Sequence, residues 1–318
     1  MFTITHTTEE GIKKIILTDT RAPSSVELIP SAGAALHAFY TRQGAGLFNI
    51  IEGYEDAVDI KENLEQLGFR GLKLSPFSGR LQNSSYRFKN KNYTVNSFKL
   101  GDHALHGFLY KVPFTITKTK VLPQSVYVEM EYKYKMEDSG YPFSYGCTVQ
   151  YHLKKNNRLI ITTKIKNTGK EKLPVTDGWH PYFTLGGKVD DLYLQIDCKK
   201  KVELSDALMP TGKIIKNKEF LKPRKINELH LDDCFRVRSQ KNKPVCTLTN
   251  REAGLQLQII PGKGYPYLQI YTPPGRTSIA IENMSAAPNA FNNKMGLTIL
   301  KPGEKKEFKT TFQIKSIL

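Results

Sequence analysis

Along most of its length the chain alternates apolar and polar residues with a period of two. The pattern runs through KKIILT, YRFKNKNYTVNSF, SVYVEMEYKYKM, CTVQYHLKKNNRLIITTKIKNTG, DLYLQIDCKKKVEL, PVCTLTNREAGLQLQII, YLQIYTPPG, TSIAIEN and EFKTTFQIKSI. Successive side chains of a strand point to opposite faces, so alternation rich in Val, Ile, Thr, Tyr and Phe predicts strands. Lys-Asn tips between alternating runs, in RFKNKNYTV and LKKNNRLIITTKI, predict antiparallel hairpins, because Asn tolerates the positive φ of tight turns. Only EDAVDIKENLEQLGF has an apolar spacing near 3.6, which predicts a surface helix of about three turns ending at Gly68. Helices are too few for a doubly wound α/β sheet.

With 318 residues, 39% of them hydrophobic, the chain can bury a large core without a disulfide or metal staple. No Pro/Ser-rich linker, composition break or internal repeat divides it, so residues 1–318 are expected to form a single domain. Propeller blades would recur every 40 to 50 residues or so. The expectation is therefore all-β: two large antiparallel sheets packed face to face, with a concave face suited to an extended polar ligand such as a sugar. Cys147, Cys198, Cys234 and Cys246 lie far apart with no C-x-x-C pair and are expected to be buried free thiols. The N-terminal segment lacks the pattern of a signal peptide, and no window approaches the roughly 18 apolar residues of a membrane span. These features predict a cytoplasmic protein with no membrane partner, either a monomer or a homodimer.

Lys+Arg 47 against Asp+Glu 30 leaves a net charge of +17, which raises nucleic acid, anionic membrane or acidic substrate as partners. The lysines, however, concentrate in KNKN, LKKNN, KNTGKEK, CKKKVEL, KNKEFLKPRK, QKNK and KPGEKK. That distribution suits solvated hairpin tips and edge strands guarded by charge, with no basic helix and no stripe interleaved with aromatics. Phosphate-binding glycine loops, H-E-x-x-H and ribonucleoprotein motifs are missing, and SYGCTV leads into a strand rather than the helix a nucleophile elbow needs. Nucleic acid is therefore not expected as a partner, and the charge is kept as a reason to test anionic sugars.

The candidate chemistry sits in segments that break the alternation. His106 lies in GDHALHGFLY, which also contains His103, and His180 lies in VTDGWHPYFTLGG between the chain's one Trp, Trp179, and Pro181-Tyr182-Phe183. An apolar pocket of that kind depresses the pKa of a histidine toward its neutral form. A lone histidine is more often a core residue bonded to a carbonyl, but these neighbours weaken that reading. Glu282 follows Ile-Ala-Ile and precedes the small-residue turn NMSAAPNAFNN; it either reaches water at a strand end or is buried with partners or a proton to exchange. In HLDDCFRV, His230 and Asp232 would share one strand face and Asp233 the other, too few converging ligands for a convincing metal site. Arg80, in LSPFSGRLQN, follows Gly79, which lets the backbone turn close to a ligand; taken alone it reads equally as a solvated surface arginine.

Taken in order, IPSAGAALHAF, LSPFSGRLQN, RFKNKNYTVN, HALHGFLY, SGYPFSYGCTVQYHL, PVTDGWHPYFTLGG, HLDDCFRV, IAIENMSAAPNAFN and LKPGEKKEF resemble the aldose 1-epimerase (galactose mutarotase-like) family over almost the whole chain. The resemblance implies a β-supersandwich with few short helices and no cofactor or metal. It places the family's general acid on His180, its general base on Glu282, and its substrate-orienting residues on Arg80, His106 and Asp232, the first of the Asp pair. It implies interconversion of the α and β anomers of a hexose by ring opening and closure. Departures are present. Trp179 and Thr184 stand where the commoner form of the family has Asn, and Phe108 stands where it has a second Gly. GWHPYF resembles a branch some of whose relatives act on hexose 6-phosphates, which makes a phosphorylated or otherwise anionic sugar the alternative substrate. A non-catalytic carbohydrate-binding protein is the further alternative.

Overall fold

In a computed structural model that describes residues 1–44, 46–238, 242–262 and 264–317, the regular structure is almost all antiparallel strand. Five consecutive strands, Phe2–Glu9, Ile12–Asp19, Ser24–Ile29, Ala35–Gln43 and Gly46–Asn49, pair in sequence order as a meander. A nine-stranded sheet follows the spatial order Thr115–Leu122, Ser125–Tyr134, Tyr145–Lys154, Arg158–Asn167, Lys305–Ser316, Leu255–Pro261, Cys246–Asn250, Tyr193–Ile196 and Arg224–Lys225. A second large sheet runs Pro210–Lys216, Lys200–Leu204, Asp232–Arg236, Tyr267–Tyr271, Ile279–Met284, Gly178–Trp179 and Lys73–Leu74, with Tyr182–Phe183 also paired to Ile279–Met284. The two large sheets meet through Phe183 against Phe312, Tyr151 against Trp179, and a 2.6 Å hydrogen bond from Thr310 Oγ1 to Asn283 Oδ1. This is the all-β sandwich expected from the alternation.

Both predicted hairpins form. Lys89 and Asn90 take φ of 47° and 62° between Ser85–Phe88 and Lys91–Thr94, and Asn156 and Asn157 take 64° and 51° between Tyr145–Lys154 and Arg158–Asn167. Two local expectations need correction. The helix covers only Ala57–Glu62, capped by the Asp56 side chain, and buries none of its residues; the remaining stretch to Gly68 folds as turns that bury Leu64. DLYLQIDCKKKVEL is also not one strand. It breaks at Cys198, so that Tyr193–Ile196 joins the nine-stranded sheet and Lys200–Leu204 the other large sheet. The Cys198 thiol donates to the carbonyls of Lys200 and Arg236 at this crossing. All four cysteines are buried and unpaired. Among the described residues, no helix is long and apolar enough to cross a membrane.

Candidate active site

A cleft of about 450 Å³ opens on the face of the sheet that carries Asp232–Arg236, Tyr267–Tyr271 and Ile279–Met284. All five residues singled out in the sequence, Arg80, His106, His180, Asp232 and Glu282, line it. Their convergence follows from local pairing. Glu282 lies inside its strand rather than at its end, directly opposite Gln269, and is only 3% exposed. His180 follows the short strand Gly178–Trp179, which pairs with both Met284 and Lys73–Leu74, and its backbone is fixed by bonds from its own N–H to Leu72 and from the Gly71 N–H to its carbonyl. The outcome is a 3.3 Å approach of His180 Nε2 to Glu282 Oε1.

Arg80 reaches the same place through the turn after Glu282. The Asn289 N–H donates to the Arg80 carbonyl at 2.7 Å, and the Asn289 side chain exchanges hydrogen bonds with Gln82, so the NMSAAPNAFNN turn pins the arginine segment beside the glutamate strand. His106 enters by a kink. It and Gly107 both have positive φ, 62° and 77°, and a Cβ on Gly107 would come within 2.2 Å of the Ser75 carbonyl oxygen. Only glycine permits that approach. Phe108, which stands where the commoner form of the family has a second Gly, has an ordinary φ of −124° and stacks on Tyr134. The Gly79 N–H donates to His106 Nδ1 at 3.3 Å, which leaves Nε2 as the nitrogen able to carry a proton toward a ligand. His103 accepts from the Asn83 N–H and does not line the cleft.

The Asp pair divides as strand alternation requires. Asp232 faces the cleft and accepts from Gln269 Nε2, whereas Asp233 takes the Lys201 ammonium at 2.7 Å on the other side. His230 is exposed. Gln269 escaped the sequence reading, although its signal was present: in YLQIY the residues Tyr267, Gln269 and Tyr271 share one face, and pairing with TSIAIEN sets Gln269 against Glu282. Its Oε1 is buried without a hydrogen-bond partner. Of the aromatic walls, Tyr182 was among the neighbours read beside His180, whereas Phe69 was missed. His180 stacks on Tyr182, with centroids 5.0 Å apart, and meets His106 edge to face at 5.1 Å, while Phe69 packs against His106.

Burial governs the protonation of this group. It lowers His180 from 6.5 to about 4, opposed only by its own backbone carbonyl. It pushes His106 well below the usual histidine range, helped by the neighbouring His180 and Arg80. It raises Glu282 well above 4.5, reinforced by Asp232 and opposed by the Arg80 guanidinium. Asp232 is raised for the same first reason and held back by Arg80 and Gln269. A buried acid and a buried base in contact, both displaced toward neutrality, form a pair that holds one exchangeable proton.

The family model for aldose 1-epimerase matches residues 16–313. The chain belongs to the aldose 1-epimerase family. Among its relatives, the uncharacterized protein YihR of Escherichia coli (strain K12) is 24% identical over 296 residues, spanning 90% of this chain and 92% of YihR. The aldose 1-epimerase of the same organism is 28% identical over 132 residues, 40% of this chain and 36% of that enzyme. Solved structures of family proteins share the fold. A galactose mutarotase-like protein from Clostridium acetobutylicum superposes with a TM-score of 0.86 at 17% identity, covering 99% of each chain. A galactose 1-epimerase from Lactobacillus acidophilus NCFM gives 0.82 at 16% identity, again covering 99% of each.

Proposed function

We propose that the protein is an aldose 1-epimerase that interconverts the α and β anomers of a neutral hexose, with His180 as general acid and Glu282 as general base. The observation that carries this reading is the 3.3 Å contact of the two side chains on the cleft floor. The two oxygens that must exchange protons in mutarotation, the C1 hydroxyl and the ring oxygen, are bonded to the same carbon, so acid and base must converge on adjoining points. Glu282 as carboxylate takes the proton of the C1 hydroxyl. Protonated His180 gives its proton to the ring oxygen, the C1–O5 bond breaks, and the open-chain aldehyde forms with His180 neutral and Glu282 protonated. Rotation about C1–C2 presents the other carbonyl face. Both transfers then reverse, closing the opposite anomer and restoring the pair, with no net gain or loss of protons or electrons.

Arg80 and His106 donate to the ring oxygen and neighbouring hydroxyls, and Asp232 accepts from hydroxyls further round the ring. Gln269 holds Asp232 in place. The charge of the cleft favours a neutral substrate over a phosphorylated one. Beside the His180–Glu282 pair, which has no net charge, its lining has three carboxyl groups, Glu52, Glu65 and Asp232, against two arginines, and Arg70 is already paired with Glu52. No lysine is among the described lining residues. One core cluster reaching from Phe2 to Ile314 supports a single domain over residues 1–318. Buried thiols support a reducing, cytoplasmic setting.

Polarimetry on freshly dissolved α-glucose and α-galactose tests the proposal. The protein accelerates the decay of optical rotation, and Glu282→Gln abolishes the excess rate. A Glu282→Gln variant as fast as the wild type refutes the base assignment, saturable sugar binding without turnover would indicate a carbohydrate-binding protein, and a preference for glucose 6-phosphate would overturn the neutral substrate.

A further inference from the structure

Behind His180, on the opposite face of the same short strand, lies an ion pair with no exposure at all. Lys73 Nζ stands 2.6 Å from Asp177 Oδ1, and both side chains are 0% exposed. The same ammonium donates to the Gly178 carbonyl at 2.8 Å and lies 4.5 Å over the Trp179 ring. Alternation explains the placement: Asp177 and Trp179 share one face, His180 takes the other, and Lys73 stands opposite Trp179 in the pairing register. Trp179 is buried against Tyr151 and does not line the cleft.

Asp177 also reaches the strand of the proposed base. Its N–H donates to Ser285 Oγ and its carbonyl accepts from the Ser285 N–H, both at 2.8 Å, three residues beyond Glu282. Its second carboxylate oxygen accepts from the Tyr265 hydroxyl at 2.6 Å. One buried cluster thus ties together the segment before His180, the strand of Glu282 and the strand edge at Lys73. Burying two charges costs several kcal/mol per ion, and well-packed apolar residues of similar volume often serve stability as well or better. Stability alone therefore does not account for charges at this position.

We propose that Lys73 is a positioning residue, which through Asp177, the Gly178 carbonyl and Trp179 fixes the backbone of His180 relative to Glu282. The proposal rests on the functional reading above. It assigns Lys73 no contact with the substrate, so its loss acts on the reaction step and leaves sugar binding alone.

The test is the double substitution Lys73→Met with Asp177→Leu, which removes both charges at similar volume. Urea denaturation reports its stability, polarimetry its kcat and KM, and the imidazole nitrogen resonances of His180, assigned by their loss in His180→Asn, report the position of the ring. The expected result is a folded protein whose kcat is lower by about 100-fold, the scale of a 1 Å misplacement, with KM unchanged and the His180 resonances shifted. Wild-type kcat, or unchanged His180 resonances, overturns the proposal. Should the double variant not fold, Tyr265→Phe decides instead: it frees one oxygen of Asp177 without altering volume, and lower kcat at unchanged KM supports the clamp while wild-type kcat refutes it. Wild-type protein in the same assay separates the two claims. Its failure to accelerate mutarotation sinks the functional reading and leaves the resonance shift to judge the positioning.

Discussion

Replacing Glu282 by Gln should make the protein inactive and more stable together, with the gain in stability tied to pH. Glu282 is 3% exposed, and burial holds its carboxyl protonated well above 4.5 in the fold. In the unfolded chain it ionises near 4.5. For a group whose pKa is raised on folding, stability is fully present below the unfolded value and is lost as pH rises toward the folded one. Each pH unit in that window costs about 1.4 kcal/mol, so the interval from 4.5 to 7 amounts to a loss of at most about 3–4 kcal/mol. Gln has the shape of the protonated acid, stays neutral at every pH, and carries no such cost. The variant should match the wild type in urea denaturation at pH 4 and exceed it by a margin that grows toward pH 7 up to a ceiling of about 3–4 kcal/mol, while mutarotation falls by about 100- to 10,000-fold, the contribution of a general base. Equal stabilities at pH 7, or a gain of the same size at pH 4, would refute the argument that burial of this carboxyl opposes folding.

The pH profile of kcat/KM should be bell-shaped: activity is lost below about 4 as His180 binds a proton beside protonated Glu282, and lost again above the raised value of Glu282 as the pair surrenders its one proton. A profile centred on unshifted values would contradict the burial argument. Arg80→Met should lower kcat/KM by about 10- to 100-fold through lost charged hydrogen bonds and move the alkaline limb upward, because Arg80 opposes the rise of Glu282; a limb that stays in place shows that Arg80 does not act on the carboxyl. Gly107→Ala should destabilise by at least about 1–3 kcal/mol in urea and displace His106, since its Cβ would sit 2.2 Å from the Ser75 carbonyl oxygen at a φ of 77°. A variant of wild-type stability would mean that the kink relaxes without cost.

What the sequence disclosed depended on the range of the interactions involved. Strands and hairpins were legible because period-2 alternation and Asn turn tips are local, and the turns at Lys89-Asn90 and Asn156-Asn157 form as expected. The break at Cys198 was not, because the residues on either side alternate in phase, and only the choice between two sheets separates them. The helix ended early for a related reason. Past Asn63 the chain must turn to bury Leu64 and Phe69, and tertiary packing overrides the apolar spacing. In the cleft, residues in unusual segments stood out, whereas Gln269 looked like any polar position of a strand. Its place beside Asp232 and Glu282 becomes visible only once strand register is known. Lys73 was hidden most completely, since one buried lysine among so many basic residues has no local signature.

The charge of the empty pair bears directly on the proposed reaction. Burial favours neutral His180 and protonated Glu282, yet attack on a closed ring requires the opposite arrangement, an imidazolium and a carboxylate. The neutral arrangement is the one the pair holds when the ring is open. With either closed anomer bound the neutral pair is likewise the resting form, so ring opening and ring closure both pass through an arrangement with two buried charges. The larger that burial cost, the slower both directions run. Arg80 supplies the counterweight, as its guanidinium favours the carboxylate form of Glu282 and opposes the effect of Asp232. Removing Arg80 should therefore slow ring opening and ring closure alike, so that kcat falls in Arg80→Met while the fraction of bound sugar present as aldehyde, read by carbonyl-labelled NMR, stays the same. Wild-type kcat in Arg80→Met would show that the proton balance of the pair is set without the arginine.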